Sequence, residues 1–245
     1  MSYTLKTNYS NAHNCGGYRP LTAIDYIVIH YTAMDGDFDE SNANYFHNNA
    51  LPSPASAHAF VDDDSITISV DADRVAYAVG GSKWADCGTT GGGTLYKRCT
   101  NYNSYSIEMC DTIRNGVHDV SAKTRENAMH FVVAKMLEFN VSIDHVVRHF
   151  DVNGKYCPGI KGWYGPKSTE WYKFKEDIMP ILGKEIYESL QKYLITQEAP
   201  KDIAAKIEEA KKLGLTDGNN LMLFTPRYQC VLMNLAAYKK GLHDA

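Results

Sequence analysis

One apolar run, residues 25–32 (DYIVIHYT), constrains the fold of this chain more than any other segment. Its β-branched and aromatic residues predict a buried strand that ends in polar residues. His30 is therefore expected near the carboxyl end of that strand. An amphipathic helix over residues 121–141 is expected to pack on a sheet of such strands, so this part of the chain mixes strands and helices.

Periodicity and end signals predict the neighbouring elements. Two long stretches rich in glycine, residues 80–100 and 151–166, predict irregular loops. The predicted elements are a helix over 40–51, a hairpin of strands 58–61 and 66–70, a strand over 104–110, a helix over 121–141, a strand over 145–149, and a helix from Thr169 to about Ile178.

Beyond Leu182 the composition changes to helical segments rich in lysine and glutamate, which is typical of a domain change. We place the boundary near Gly183, giving domains of residues 1–182 and 183–245. Three amphipathic helices are expected in the second domain. The second of them ends at Gly214 and the third begins at Thr225. A bundle of this size has a small hydrophobic core, so the domain is expected to pack against the first domain or against a second copy of the chain.

Net charge and the N-terminal sequence argue against general binding to nucleic acid or anionic lipid and against an export signal. The 245 residues include 29 acidic and 25 basic side chains and carry a net charge of -4, so no general attraction to nucleic acid or anionic lipid is expected. The first 19 residues are polar and hold no apolar export signal or membrane span, which predicts synthesis in the cytoplasm without a signal peptide.

The six cysteines are scattered, which favours reduced thiols, although a bridge between Cys87 and Cys99 stays open.

A set of metal-ligating side chains follows the predicted strands. His30, His149 and Cys157 supply two imidazoles and one thiolate, which is a three-ligand set for a catalytic zinc with its fourth position free for water. Glu108, on a predicted strand, is expected to hold and deprotonate that water, and Lys155 to stabilise an oxyanion.

Taken singly, each of these residues also has a structural interpretation. A histidine at the end of a buried strand is more often a hydrogen-bonded core residue than a ligand, and a lone loop lysine is usually solvated. Glu108 is harder to explain structurally, because a buried carboxylate without a partner is costly and tends to mark a site.

The order of these motifs resembles the amidase_2 family, the N-acetylmuramoyl-L-alanine amidases related to phage lysozyme-type amidases and peptidoglycan-recognition proteins. The resemblance covers residues 24–178 and is closest to endolysins and autolysins of clostridia, bacilli and their phages. It rests on Ile-Val-Ile-His, Ala-Ser-Ala-His, Ser-Ile-Glu-Met-Cys and His-Phe-Asp-Val-Asn-Gly-Lys-Tyr-Cys-Pro. It implies an α/β fold with a central mixed β-sheet flanked by helices, followed here by the small C-terminal helical bundle.

By the same resemblance His30, His149 and Cys157 are the zinc ligands, Glu108 and Lys155 are the catalytic pair, and the substrate is peptidoglycan. The implied reaction is hydrolysis of the amide between N-acetylmuramic acid and L-alanine. Together with the missing leader, it implies an enzyme that acts on the cell wall after release from the cytoplasm, as a phage endolysin does with its holin. The C-terminal helices resemble small wall-binding modules; a dimerisation element is the alternative.

The chain also departs from the family pattern. Ala57 precedes His58 where many relatives have tyrosine or tryptophan. A mechanism assisted by that tyrosine is therefore not expected, and Glu108 must carry more of the catalysis. Residues 77–80 are Tyr-Ala-Val-Gly where relatives often have Trp-His-Ala-Gly, so a histidine that contacts substrate is missing. His58 is a candidate groove residue that binds substrate, and the alternative is a strand histidine bonded to a neighbouring loop.

Two other functions fit part of the pattern. A non-catalytic peptidoglycan sensor on the same fold would not need Cys157 as a third ligand. A cysteine amidase or peptidase would use Cys157 as nucleophile and His149 as its base.

Overall fold

The structure is a computed structural model that describes residues 3–114, 116–165 and 167–196. The chain divides into two compact units, Met1–Lys175 and Glu176–Ala245. The predicted helices of residues 197–245 lie outside the described residues, so the three-helix domain, its boundary near Gly183 and its pairing with a second copy stay predictions.

A mixed β-sheet forms the centre of the first unit. Its order is β1-β5-β4-β7-β3-β10; β4 and β5 are antiparallel, and every other neighbouring pair is parallel. Two small two-stranded sheets pair β2 with β6 and β8 with β9. The strands are β1 (Thr4–Thr7), β2 (Cys15–Tyr18), β3 (Tyr26–Tyr31), β4 (Ala59–Val61), β5 (Ser65–Ile68), β6 (Arg74–Ala76), β7 (Ser104–Met109), β8 (Thr112–Arg114), β9 (Val117–Asp119) and β10 (Val146–Arg148).

Helices pack against this sheet, which confirms the predicted fold class. Helix α1 lies on β4 and β5, and α3 lies on β3, β4 and β7. The N-cap of α3 is Ser121, whose hydroxyl accepts hydrogen bonds from the backbone of Lys123 and Thr124. The helices are α1 (Asp39–Asn48), α2 (Cys87–Thr90), α3 (Ala122–Phe139), α4 (His149–Asn153) and α5 (Thr169–Thr196).

The core lies where β3 and β7 run side by side under α3. Ile27, Val28 and Ile29 of β3 are each 0% exposed, as the apolar run predicts for a buried strand, and the strand is covered on both faces. Val132 and Val133 on α3 are also 0% exposed. Burial of these side chains fixes the register of β3, and with it the position of His30 at the strand end.

Two expectations about helices were wrong. The last helix was expected to stop near Ile178, but α5 continues through Pro180 to Thr196. Proline removes one backbone donor and bends a helix, and a helix of 28 residues has many other hydrogen bonds to carry it past that position. The stretch after Asp151 was expected to be irregular, whereas α4 occupies its start.

The predicted loop of residues 80–100 is held against α4. Backbone hydrogen bonds run from Trp84 to Asn153 (2.8 Å), from Gly93 to Phe150 (2.9 Å) and from Leu95 to Asp151 (2.8 Å). Its short helix α2 was not expected. In the part of the chain that the structure describes, no helix has the length and apolar character that a bilayer span requires.

Candidate metal centre

Two neighbouring parallel strands bring the first site residues together. His30 on β3 pairs in register with Glu108 on β7, so both side chains lie on the same face near the carboxyl ends of the strands. The Nδ1 of His30 lies 3.8 Å from Oε1 of Glu108. The strand register thus places a carboxylate beside the candidate ligand.

The other two ligand candidates come from the turn after β10. That strand pairs with β3, so His149, the first residue of α4, lies beside His30, with 4.9 Å between the ring centroids. Gly154 ends α4 at a φ of 91°, and a Cβ there would overlap the sulfur of Cys87. The chain then turns back, and the Cys157 carbonyl accepts a hydrogen bond from the Phe150 backbone at 2.9 Å.

His30, His149 and Cys157 converge in the interior. One candidate ligand atom from each lies within 4.8 Å of the others, and the residues are 2%, 4% and 2% exposed. The sulfur of Cys157 is 3.6 Å from Nδ1 of His30. Tetrahedral zinc, with bonds of about 2.0–2.1 Å to nitrogen and 2.3 Å to sulfur, separates its ligand atoms by roughly 3.3–3.8 Å. The arrangement therefore needs only small adjustments to hold zinc.

Unpartnered polar atoms support this fit. Nε2 of His30, both ring nitrogens of His149 and Oε2 of Glu108 are buried and have no hydrogen-bond partner among the described residues. Buried polar atoms are rarely left unpaired in folded proteins, because each costs about 1–3 kcal/mol. A cation that accepts a lone pair from each ring would remove part of this cost.

The protonation states also suit a cation. Burial first, and then the charge of Lys155, lowers the pKa of His149 to about 3, so its ring is neutral at ordinary pH. Burial, followed by the charges of His149 and Lys155, lowers the pKa of His30 well below its usual value. Burial and the charge of Glu108 raise the pKa of the Cys157 thiol, so a metal that binds there must displace its proton.

Glu108 has the properties of a proton-transfer group. Its side chain is 20% exposed, so solvent reaches it from one side. Burial raises the pKa of Glu108 to about 8, and the nearby charge of Lys155 opposes that rise. A carboxyl group whose pKa lies close to neutral can both take and return a proton.

Lys155 lies on the solvent side of the cluster. Its side chain is exposed, and its backbone donates a hydrogen bond of 3.0 Å to Oδ1 of Asn153. Its charge affects the pKa values of His30, His149, Glu108 and Cys157, which places the ammonium group within electrostatic reach of the cluster.

His58 does not belong to this cluster and has no surface to offer a substrate. It is 0% exposed, and its ring stacks on Tyr105 with 4.4 Å between centroids. Nδ1 of His58 accepts a hydrogen bond from the Ser106 backbone at 3.0 Å, and Nε2 lies 3.2 Å from the carbonyl of Arg74 and 2.8 Å from Nη2 of Arg19. The groove assignment is therefore corrected to the structural alternative, a strand histidine bonded to its neighbours.

A second histidine near the site had no partner that the sequence could identify. Nδ1 of His118 lies 2.6 Å from Oδ2 of Asp111, whose other oxygen accepts hydrogen bonds from the Thr32 hydroxyl (2.8 Å) and the Met34 backbone (3.0 Å). The His118 ring packs edge-on against Tyr31, the residue after His30, at 5.3 Å. Asp111 directly precedes the β8–β9 hairpin and His118 lies on β9 within it. The sequence did not predict this hairpin.

The remaining cysteines do not form the bridge that the sequence left open. Cys87 and Cys99 are both buried free thiols. Cys87 donates a weak hydrogen bond to the Asn153 carbonyl, with 3.5 Å between sulfur and oxygen, and Cys99 packs in an apolar cluster with Tyr26 and Val28. Cys230 lies outside the described part of the chain.

Comparison with known proteins identifies the family of this chain. Residues 20–160 match the Amidase_2 family, described as N-acetylmuramoyl-L-alanine amidase. The amidase CwlL of Bacillus licheniformis is 27% identical over 168 residues, which cover 67% of this chain and 43% of CwlL. The amidase CwlA of Bacillus subtilis strain 168 is 34% identical over 134 residues, or 55% of this chain and 43% of CwlA. The chain thus spans less than half the length of these curated relatives.

Solved structures share the fold. A mutant endolysin from Bacillus subtilis is 25% identical, with a TM-score of 0.54 over 72% of this chain and 99% of the endolysin. The catalytic domain of XlyA is also 25% identical, with a TM-score of 0.52 over 71% of this chain and 99% of that domain. Since the family match covers more than half of the sequence, the chain belongs to the Amidase_2 family of N-acetylmuramoyl-L-alanine amidases.

Proposed function

We propose that this chain hydrolyses the amide bond between the lactyl group of N-acetylmuramic acid and the first L-alanine of the stem peptide in bacterial peptidoglycan. The proposal includes a zinc ion held by His30, His149 and Cys157. Its main support is the convergence of these three buried side chains beside Glu108, in a chain of the N-acetylmuramoyl-L-alanine amidase family.

Three protein ligands suit a catalytic rather than a structural metal. A structural zinc site is closed by four protein ligands, whereas a catalytic site keeps one position open. Among the residues that the structure describes, the cluster contains only His30, His149 and Cys157. A zinc ion bound there would supply Lewis-acid activation of both the attacking water and the amide carbonyl.

Two protein side chains would then transfer protons and stabilise charge. Glu108 takes a proton from the attacking water as its oxygen bonds to the carbonyl carbon. The ammonium of Lys155 donates a hydrogen bond to the negative oxygen that forms on the substrate. When the C–N bond breaks, its electron pair stays on the alanine nitrogen, and Glu108 returns the proton to that nitrogen. The products are a free lactyl carboxylate and a free amino terminus.

The thiol mechanism is the weaker alternative. A nucleophilic cysteine needs a depressed pKa and an accessible sulfur, whereas burial raises the pKa of Cys157 and leaves the residue 2% exposed. A pure binding protein is also weaker, because binding alone does not require a carboxyl group such as Glu108 with a pKa of about 8.

Chelation combined with product analysis tests the proposal. Purified protein should lose activity on cell walls after treatment with a chelator and regain it when zinc is added. The digested walls should gain free L-alanine amino groups and no new reducing ends. Activity that survives complete removal of metal would support the thiol mechanism, and new reducing ends would indicate a glycosidase.

The C-terminal segment and the site of action complete the proposal. We propose that residues 183–245 tether the enzyme to the wall, since tethering raises its local concentration on an insoluble substrate. The chain would be made in the cytoplasm and reach the wall by a phage holin or a similar route. Removal of residues 183–245 should lower lysis of intact walls while hydrolysis of a soluble muramoyl peptide is retained. If the segment serves dimerisation instead, its removal should convert a dimer to a monomer in solution.

A further inference from the structure

An exposed group of aromatic rings lies next to the ligand-bearing turn. We name Trp84, Tyr156 and Tyr164 the aromatic platform. Tyr156 is central: its ring centroid is 5.6 Å from that of Trp84 and 5.0 Å from that of Tyr164, both edge-on. Trp84 is 42% exposed and Tyr164 is 38% exposed. Tyr156 is also the residue between Lys155 and Cys157, so the platform adjoins the candidate metal centre.

The structure holds this platform in place from several sides. The Trp84 backbone donates a hydrogen bond to the Asn153 carbonyl at the end of α4 (2.8 Å). The Tyr156 hydroxyl donates to Oδ2 of Asp86 at 2.6 Å, which fixes the direction of the phenol. Trp163, next to Tyr164, accepts a hydrogen bond of 2.5 Å from Arg148 through its carbonyl. Rings that remain exposed although their backbone is anchored are suited to bind a ligand without a large ordering cost.

The chemistry of the platform suits a sugar ring. Aromatic faces carry partial negative charge and attract the C–H groups that cover the faces of a pyranose ring. The phenol oxygens of Tyr156 and Tyr164 can bond to hydroxyl and N-acetyl groups at the rim of such a ring.

We propose that the aromatic platform binds sugar rings of the glycan strand and so orients the lactyl amide over the metal centre. This inference rests on the proposed function, because it assumes that the scissile bond joins a sugar to a peptide. Trp84 is the main contact, since its indole has the largest exposed aromatic surface of the three.

Binding of a strand that cannot be cleaved tests the inference directly. The probe is a glycan strand of alternating N-acetylglucosamine and N-acetylmuramic acid from which all peptides have been removed. The chain has three tryptophans, and Trp163 and Trp171 are each 3% exposed, so acrylamide quenching of tryptophan fluorescence reports mainly on Trp84. We expect the peptide-free glycan to protect the full-length protein from quenching.

Two variants separate a specific platform from a general effect. By calorimetry, Trp84→Ala should bind the peptide-free glycan about tenfold more weakly or worse than the unmodified protein. Tyr45→Ala is the matched control, because Tyr45 is 53% exposed on α1 and does not belong to the platform; its affinity should be unchanged. On intact walls, Trp84→Ala should raise KM severalfold with little change in kcat, and a mainly structural role would not produce that division.

Three outcomes would overturn the inference: no protection by the glycan, equal glycan affinity in Trp84→Ala, or protection by free stem peptide in place of glycan. The glycan probe contains no scissile amide and needs no metal. Failure of the amidase assay with intact glycan binding would therefore refute the proposed function alone, whereas normal hydrolysis without glycan binding would refute only the platform.

Discussion

The buried histidines of this protein differ in whether their ring nitrogens have hydrogen-bond partners. His58 is fully buried, and each of its nitrogens has a polar neighbour from Ser106, Arg74 or Arg19. His30 and His149 are almost as deeply buried, yet three of their four nitrogens lack a hydrogen-bond partner among the described residues. Burial alone therefore does not identify a functional histidine.

The difference follows from what each cluster must do. A structural imidazole is stabilised by hydrogen bonds that exist in the folded protein itself, as at His58. A metal ligand must keep a lone pair free for the cation, so the protein alone leaves it unsatisfied. Substitutions at the two places should therefore affect different measurable properties: metal content and turnover at the metal centre, and stability at His58.

The largest effect is expected from loss of a metal ligand. Cys157→Ala should reduce bound zinc from about one ion per chain to near zero and lower turnover at least about a thousandfold, because the chemistry depends on the ion. Metal analysis of the purified protein and an assay on cell walls measure both quantities. His47→Ala, at an exposed histidine on α1, is the control and should keep its zinc. Full zinc content in Cys157→Ala would show that this residue is not a ligand.

A somewhat smaller effect is expected at Glu108. Glu108→Gln keeps the shape of the side chain and removes its ability to accept a proton, so turnover should fall about 10²–10⁴-fold. Zinc content should remain at the level of the unmodified protein, since this residue acts on water and substrate and does not hold the ion. Loss of zinc in Glu108→Gln would mean that the carboxylate is a fourth ligand, which contradicts the open catalytic site.

Replacement of His58 should have the opposite profile. His58→Gln leaves buried partners such as the Ser106 amide without an acceptor of the right geometry, so the free energy of unfolding should fall by about 1–3 kcal/mol. Zinc content and kcat should stay close to normal at temperatures where the variant is folded. Denaturant unfolding measures the first quantity. A His58→Gln protein of normal stability that binds peptidoglycan more weakly would restore the substrate role that the structure argues against.

The smallest effect concerns the pH dependence of stability. Burial, with the charges of Arg19 and Lys135, lowers the pKa of His58 well below its usual value. Below about pH 6.5 the unfolded chain takes up a proton at this residue and the folded chain does not, so stability is lost as the pH falls. His58→Gln should reduce this slope by about 1.4 kcal/mol per pH unit between roughly pH 4.5 and 6. Parallel stability curves for the two proteins would show that His58 is not buried in its neutral form.

The sequence predicts the parts of this fold that depend on local pattern. The buried run of β3, the β4–β5 hairpin and the long helix α3 all follow from periodicity, and each is present. The sequence also places His30 near a strand end, because the apolar run stops there, and Glu108 on a further predicted strand. Pairing of β7 with β3 then sets the two residues side by side, which no local pattern could reveal.

Other features depend on long-range contacts that the sequence does not display. His58 and His30 look alike as strand histidines, and they are distinguished by the guanidinium of Arg19, which lies 39 positions before His58. The pair of Asp111 and His118 is visible only after the β8–β9 hairpin has formed. The stretch of residues 80–100 looks like a free loop because its anchors on α4 are backbone hydrogen bonds.

The most direct test of the metal centre is X-ray absorption spectroscopy of the zinc-loaded full-length protein. One sulfur at about 2.3 Å and two imidazole nitrogens at about 2.0–2.1 Å are expected, with one further light atom that exchanges with an added zinc-binding inhibitor. A spectrum without sulfur, or with four protein ligands and no exchangeable position, would contradict the assignment of His30, His149 and Cys157 to a catalytic zinc.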